Sequence, residues 1–306
     1  MRESPNHRHH PTMKSRLHKT FSREEWDLII KRNDFDNVSK LRLRDSLIHG
    51  VPDDLRGEIW AYLTRASQLS LQFSSGVYNR LFESIDPNIA NAIERDLHRT
   101  FPDHFLFCER GGEGQRALCN ILYAYANYDP EVGYCQGMGF IVACLIMQIS
   151  NEELAFWAFV QVMFEYNWRL MFTNGTPKLI NMIKNTEKSI KYRFPEILEH
   201  IEENELTLVS CFAQYMVTIF LYDTPLDISV RIMDLFLLEG EKLMHRLLSK
   251  MLELKREKIL ELNSEELYQF LRRRMVKECF EEYHLGTLFT AFRNDQELEL
   301  NEIEPA

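Results

Sequence analysis

The sequence predicts an all-α fold. Apolar residues recur at spacings of three and four along most of the chain, which is the period of one helix face. Alternating runs rich in valine, isoleucine and threonine, which would indicate strands, do not occur between turn residues. The chain has 306 residues, of which 45% are hydrophobic, and this is enough to form a sizeable core.

Charge and cysteine content narrow the classes of partner and compartment. The formal net charge is −10, with 36 Lys and Arg against 46 Asp and Glu, and this opposes binding to nucleic acid or anionic lipid. No C-x-x-C pair occurs, so we expect free thiols and a reducing, cytoplasmic compartment. The six cysteines are Cys108, Cys119, Cys135, Cys144, Cys211 and Cys279.

Residues 1–20 predict a disordered polar leader. They lack the apolar core of a signal peptide, so we expect neither secretion nor cleavage. His7, His9 and His10 could bind a metal in principle, but a polar leader is the better interpretation and we expect no metal site. At the other end, residues 295–306 are acidic and predicted to be frayed.

The first two helices are marked by their ends. Ser22 and Glu25 have the spacing of a capping box, and Phe21 and Trp26 flank it as a hydrophobic staple, so a helix should begin at Ser22. A second helix is predicted from about residue 37 to Gly50.

A third helix should begin at Pro52, which suits the first helical position. Arg56 and Trp60 are four residues apart and therefore share one face of this helix. We interpret them as a cation–aromatic packing pair that anchors it.

Two polar residues are predicted at exposed chain reversals. Residues 88–100 form an amphipathic helix that Phe101 and Pro102 end, so Arg99 should lie at or just past its C-terminus. Gln136 lies in a loop with three glycines, residues 131–139, before a buried helix that restarts at Phe140. The intervening loop, residues 109–114, lacks the G-K-[ST] ending of a phosphate-binding loop.

The remaining segments continue the helical pattern. Further helices are predicted over 115–128, 152–166, 178–191, 206–221, 227–239, 242–260 and 264–275. Two hydrophobic runs, 138–149 and 206–222, are respectively too short and too polar to span a membrane, so both are interpreted as buried helices.

Motifs of common enzymes are missing from the sequence. It contains no G-x-S-x-G, no H-E-x-x-H and no dinucleotide-binding glycine fingerprint. Cys135 lies in the glycine-rich loop but has no identifiable histidine partner, which argues against a nucleophile. An independent hydrolase built on Cys135 or the histidine-rich leader therefore has no supporting motif.

Four segments carry a resemblance to a known family. They are Arg56-x-x-x-Trp60, Ile93-Glu-Arg-Asp96-Leu-His-Arg99-Thr100, Tyr134-Cys-Gln136-Gly-Met138, and Pro225-Leu226 with the segment 231–240. Together, and in this order, they resemble the TBC-domain family of Rab GTPase-activating proteins over roughly residues 43–270.

The resemblance implies a two-lobed, all-helical domain over residues 43–275. A helical flank, 21–42, would precede it, and a helical segment with an acidic tail, 276–306, would follow. It also implies that the N-terminal half presents an arginine and a glutamine, by motif position Arg99 and Gln136, to a GTP-bound Rab.

The resemblance further implies a role for each motif residue. Arg99 would stabilise charge on the γ-phosphate, and Gln136 would orient the attacking water in place of the GTPase's own glutamine. Asp96 lies three residues before Arg99 on the same helix face, so we expect it to orient that arginine or a neighbouring loop. Tyr134 would be a further supporting residue, and Arg56 and Trp60 would be structural.

The chain would then be an activator of a GTPase, not itself an enzyme. GTP and Mg²⁺ would be carried by the Rab, so no cofactor of its own is expected. The expected role is regulation of vesicle transport from the cytoplasm, with endomembranes reached through the Rab and no membrane span in the chain.

An alternative is a catalytically silent Rab-binding module. The presence of both Arg99 and Gln136 favours the activator. The sequence departs from the family at Tyr215 and Met233, where many members carry tryptophan, and this concerns packing of the C-terminal lobe. Which Rab is bound depends on surface complementarity that no motif encodes.

Overall fold

The all-α prediction is confirmed. The computed structural model describes residues 20–222 and 224–290, and within these ranges it contains helices and no strand. In chain order the α-helices are α1 (Arg23–Arg32), α2 (Lys40–His49), α3 (Asp53–Leu63), α4 (Ala66–Ser70), α5 (Val77–Phe82), α6 (Pro87–Leu97), α7 (Glu113–Tyr128), α8 (Met138–Gln148), α9 (Glu152–Phe164), α10 (Pro177–Arg193), α11 (Pro195–Glu203), α12 (Leu208–Val217), α13 (Leu226–Glu239), α14 (Glu241–Leu254), α15 (Arg256–Glu261), α16 (Ser264–Gln269), α17 (Met275–Glu282) and α18 (Leu285–Thr290).

The start of α1 follows the predicted capping box. The Ser22 backbone N–H donates to Glu25 Oε2 at 2.9 Å, and the Glu25 N–H donates to Ser22 Oγ at 3.3 Å. The rings of Phe21 and Trp26 pack edge to face, with centroids 4.9 Å apart. By contrast, α2 begins three residues later than predicted, because Ser39 caps it and a 3₁₀ turn, Phe35–Asn37, precedes it.

The helices form two lobes, as the resemblance implies. In the N-terminal lobe (α3–α9), α7 contacts α5, α6, α8 and α9. In the C-terminal lobe (α10–α18), α10 packs on α11, α12 and α14, and α14 packs on α13, α15, α17 and α18. The lobes join where α13 contacts α3, and where a 3₁₀ turn, Trp168–Met171, lies between α9 and α10, while α2 packs on α13 and α18. The predicted domain boundaries stay predictions.

The first long hydrophobic run lies in the core, and the second lies there only in part, because Thr207, Val209 and Ser210 are exposed. The first forms α8, whose residues from Met138 to Leu145 are all buried. Among the described residues, no helix combines the length and the apolar character needed to cross a membrane.

Four predicted helix ends are wrong by three residues or more, and none of the true ends is marked by glycine or proline. The helix predicted over 88–100 ends at Leu97. The segment 206–221 is not one helix: α12 ends at Val217, and Ile219 and Phe220, both fully buried, adopt left-handed backbone with φ of 54° and 57°. The segment 242–260 divides at Lys255 into α14 and α15. The last predicted helix continues beyond 275, through a π-helical turn, Phe270–Arg274, into α17.

Candidate functional site

Arg99 lies just beyond a helix end, as predicted. The helix α6 begins with Pro87 behind an Asp86 cap and ends at Leu97. Phe101 has a φ of 44°, which turns the chain away from the helix axis. Arg99 is therefore presented at the reversal, and its side chain is 48% exposed.

Asp96 connects Arg99 to the loop that carries Gln136. One of its carboxylate oxygens, Oδ1, forms an ion pair with Nη2 of Arg99. The other, Oδ2, accepts a hydrogen bond of 2.6 Å from the Tyr134 hydroxyl, 38 residues further along the chain. Burial, and then the bond to Asp96, raise the pKa of Tyr134 above its usual value, so the phenol stays a neutral donor.

Apolar and backbone contacts bring the same two segments together. The rings of Phe101 and Phe140 meet edge to face, with centroids 5.7 Å apart. A Cβ added to Gly139 would lie 3.2 Å from Oγ1 of Thr100, whose hydroxyl donates to the Asp96 carbonyl at 2.9 Å. The segment after α6 and the start of α8 are therefore in direct contact, and a side chain at 139 would require Thr100 to shift.

Gln136 is exposed at the end of a loop that the core supports. The next residue, Gly137, has a φ of 108° and caps α8, which begins at Met138, two residues earlier than predicted. A Cβ on Gly137 would lie 3.1 Å from Cγ1 of Val217 at the end of α12. The loop thus rests on the C-terminal lobe, and glycine is required beside Gln136 both for its φ and for its close contact.

Two residues that fix the start of this loop were not singled out in the sequence. Asp129, whose carboxylate accepts from the Tyr125 hydroxyl at 2.9 Å, is buried where α7 ends. Arg169 binds the same carboxylate from the turn between the lobes. The Asp129-Pro130 pair marks the helix end, but nothing in the sequence marks a partner 40 residues away.

Arg56 and Trp60 are buried, and what joins them is an aspartate that the sequence does not mark as their partner. The Trp60 indole N–H donates to Oδ1 of Asp234 at 2.7 Å, and Nε of Arg56 donates to the same oxygen at 3.2 Å. The predicted direct cation–aromatic pair is thus replaced by a shared carboxylate. Because Asp234 belongs to α13, this cluster fastens α3 to the C-terminal lobe and supports the structural interpretation.

Cys135 has surroundings that suit a packed thiol. It is half-buried, and burial raises the pKa of the thiol above its usual value, which disfavours the nucleophilic thiolate. Among the described residues, no group of three or more His, Cys, Asp or Glu side chains is arranged to hold a metal ion. His7, His9 and His10 lie outside the described residues.

The two departures from the family pattern are core residues. Tyr215 in α12 and Met233 in α13 are both buried, and the Tyr215 ring stacks on Phe220 with centroids 5.1 Å apart. Both substitutions are therefore matters of packing in the C-terminal lobe.

Known proteins with similar sequences align with most of this chain. The chain is 32% identical over 251 residues to human Ecotropic viral integration site 5 protein homolog, covering 81% of this chain and 30% of that protein. It is 31% identical over 250 residues to Rab GTPase-activating protein tbc-11 of Caenorhabditis elegans, covering 81% of this chain and 27% of that protein. The chain thus spans less than a third of the length of these relatives.

Solved structures and a family model agree on the domain. The crystal structure of the Chlamydomonas flagellar RabGAP TBC domain matches with a TM-score of 0.73 at 21% identity, covering 86% of this chain and 88% of that one. The Ypt/Rab-GAP domain of Gyp1p matches with a TM-score of 0.67 at 18% identity, covering 86% and 97%. These likenesses support the fold. The model of the Rab-GTPase-TBC domain matches residues 53–260, most of the chain, and the chain therefore belongs to this family.

Proposed function

We propose that this chain stimulates GTP hydrolysis by a GTP-bound Rab, placing Arg99 and Gln136 in the nucleotide site of the partner. Family membership and the relative named as a Rab GTPase-activating protein support the activity. The observation that carries the mechanism is Asp96, which binds Arg99 with one oxygen and Tyr134, two residues before Gln136, with the other.

Arg99 has the chemistry that the reaction needs. Hydrolysis of GTP spreads negative charge over the oxygens around the γ-phosphate, so catalysis consists mainly of positioning and charge stabilisation. A guanidinium is planar, permanently charged and able to contact several oxygens at once. Its pairing with Asp96 holds it ready at the surface, and in the complex the phosphate oxygens replace or share that partner.

Gln136 supplies the second requirement. An amide can donate a hydrogen bond through its NH₂ and accept one through its carbonyl oxygen. It can therefore hold the attacking water against the γ-phosphate without any change of protonation state. In this role it takes the place of the glutamine carried by the GTPase.

The remaining chemistry belongs to the partner. GTP and Mg²⁺ are bound by the Rab, and this chain contributes the side chains of Arg99 and Gln136. The chain acts from the cytoplasm and reaches endomembranes through the Rab, where it shortens the lifetime of the GTP-bound state in vesicle transport.

Single-turnover GTP hydrolysis across a panel of Rabs tests the proposal. The wild-type chain should accelerate hydrolysis by at least one Rab, while Arg99→Ala and Gln136→Ala should remove most of the acceleration. Arg95→Ala is a matched control, because Arg95 is exposed on the same helix and donates only to the Asn91 carbonyl. Acceleration that survives both substitutions would overturn the mechanism.

Binding measured on the same panel separates the alternative function. A catalytically silent module would bind a GTP-loaded Rab without accelerating hydrolysis. Arg99 and Gln136 are both exposed, and the hydrogen bond between Tyr134 and Asp96 connects their segments. This arrangement favours the activator.

A further inference from the structure

The loop that carries Gln136 is held at both ends by one short element. This element is the 3₁₀ turn Trp168–Met171 together with Phe172, which follows it. At the far end of the loop, Sγ of Cys135 lies 3.7 Å from the Phe172 carbonyl oxygen, and a Cβ on Gly137 would reach the Phe172 ring at 4.0 Å. The contacts at the near end are polar and come from Arg169.

Arg169 grips the start of the loop through two carboxylates. Its Nε donates to Oδ2 of Asp129 at 2.7 Å, and its Nη2 donates to Oδ1 of the same residue at 3.0 Å. The same Nη2 donates to Oε2 of Glu131 at 2.5 Å. This parallel, two-point geometry requires the planar fork of a guanidinium, which the single ammonium of lysine cannot reproduce.

Asp129 connects the ion pairs of Arg169 to the backbone of the loop. Its carbonyl oxygen accepts from the N–H of Gly133 at 2.8 Å and of Val132 at 3.2 Å, closing the turn that leads to Gln136. Its carboxylate is 6% exposed, so without Arg169 a buried negative charge would keep only the Tyr125 hydroxyl as a partner. The turn would then have to open to hydrate that charge.

The side chain of Arg169 is mostly buried and, among the described residues, forms ion pairs only with these two carboxylates. Its side chain is 20% exposed, and both ion pairs occupy it. The two carboxylates hold the pKa of the guanidinium above its usual value, first through the bond to Asp129 and then through Glu131. It therefore differs from Arg99, which is half exposed at a chain reversal.

We propose that Arg169 is a positioning residue for GTP hydrolysis: by clamping Asp129 and Glu131 it fixes the loop so that Gln136 is presented in one orientation. This rests on the proposed function of Gln136. Arg169 does not touch the nucleotide, and it acts only through the loop.

Hydrogen exchange tests the clamp independently of any GTPase. Arg169→Lys keeps the charge but loses the two-point geometry, so amides of residues 131–136 should exchange at least about tenfold faster, with the amides of α14 unchanged. Arg23→Lys is a matched control, because Arg23 also binds an aspartate, Asp54, through two nitrogens, at 2.9 and 2.7 Å, but on α1. Unchanged exchange in the loop, or faster exchange throughout the protein, would overturn the clamp.

Kinetics then test whether the clamp acts through Gln136. With an accepting Rab, Arg169→Lys should lower the saturating single-turnover rate about tenfold while leaving the half-saturating concentration within about twofold. On a Gln136→Ala background the same substitution should change the rate by less than about twofold. An equal loss on both backgrounds would overturn the positioning role. If the wild-type chain accelerates no Rab, the proposed function fails, while the exchange experiment still decides whether Arg169 orders the loop.

Discussion

Two arginines of this chain share a D-x-x-R spacing but differ in burial. Arg56 and Arg99 each form an ion pair with an aspartate three residues earlier, Asp53 and Asp96. In the first pair the arginine side chain is 5% exposed and the aspartate 92%. In the second pair the arginine is 48% exposed and the aspartate 12%. The pattern D-x-x-R therefore does not decide which partner is buried.

Contacts distant in sequence decide it. Arg56 turns inward because the buried carboxylate of Asp234, 178 residues away, accepts its Nε–H. Asp96 turns inward because Tyr134 donates to it, and this leaves Arg99 at the surface. One arginine thus joins the two lobes, and the other remains available to a partner.

The largest expected effect is on the rate of GTP hydrolysis when Arg99 is replaced. Arg99→Ala should lower the single-turnover rate by about 10³-fold or more, because the charge around the γ-phosphate loses its cation. The free energy of unfolding, measured by urea denaturation, should change by less than about 1 kcal/mol, since the ion pair is half exposed. If Arg99→Ala lowered stability enough to unfold the domain, Arg99 would be a structural residue like Arg56.

Next in size is the effect of removing the carboxylate beneath Arg56. Asp234→Asn leaves the buried guanidinium of Arg56 with only the exposed Asp53 as a charge partner and should lower the free energy of unfolding by about 3 to 5 kcal/mol in urea denaturation. The exposed Asp53 provides the control: Asp53→Asn should cost less than about 1 kcal/mol. Equal costs for the two variants would show that burial does not distinguish the partners of Arg56.

A smaller effect tests the support beneath Gln136. Gly137→Ala combines an unfavourable φ with a close contact to Val217 and should cost about 2 to 3 kcal/mol of unfolding free energy. Gly111→Ala isolates the first term, because Gly111 also has a positive φ, 68°, but no atom within 4 Å of an added Cβ, so it should cost only about 1 to 2 kcal/mol. Thermal and urea unfolding of both variants measure the difference. If Gly111→Ala costs as much as Gly137→Ala, the contact with α12 contributes nothing.

The smallest effect tests whether the hydrogen bond from Tyr134 keeps the Asp96 side chain buried. Tyr134→Phe removes one hydroxyl donor and should cost about 1 kcal/mol of unfolding free energy. In a double-mutant cycle with Asp96→Ala, this cost should mostly vanish, because that substitution removes the acceptor of the same bond. Tyr62→Phe is the control, since its hydroxyl also donates to an aspartate, Asp36, at 2.7 Å. Full additivity between Tyr134 and Asp96 would be evidence against the link.

Features that depend on neighbours in sequence were predictable. The capping box at Ser22 and the position of Arg99 past the end of α6 follow from local spacing and from helix-terminating residues. The long amphipathic helices were found for the same reason. The helices α4 and α5, which were not predicted, have five and six residues, too few to show a helical period.

Features that depend on distant contacts were not predictable. Nothing local marks Asp234 as the partner of Arg56, or Arg169 as the partner of Asp129. The end of α12 was missed because Ile219 and Phe220 are residue types that rarely adopt left-handed backbone. The roles of Arg99 and Gln136 stay predictions that rest on motif and placement.

The left-handed pair at Ile219 and Phe220 has a consequence for any attempt to shorten the protein. Each such residue costs on the order of 1 to 3 kcal/mol and persists only where the surrounding packing enforces it. Here that packing belongs to the C-terminal lobe, and Val217, two residues earlier, is the wall against which Gly137 rests. We therefore expect the N-terminal lobe, if expressed alone, to lose the observed shape of the Gln136 loop, because Val217 would no longer support Gly137.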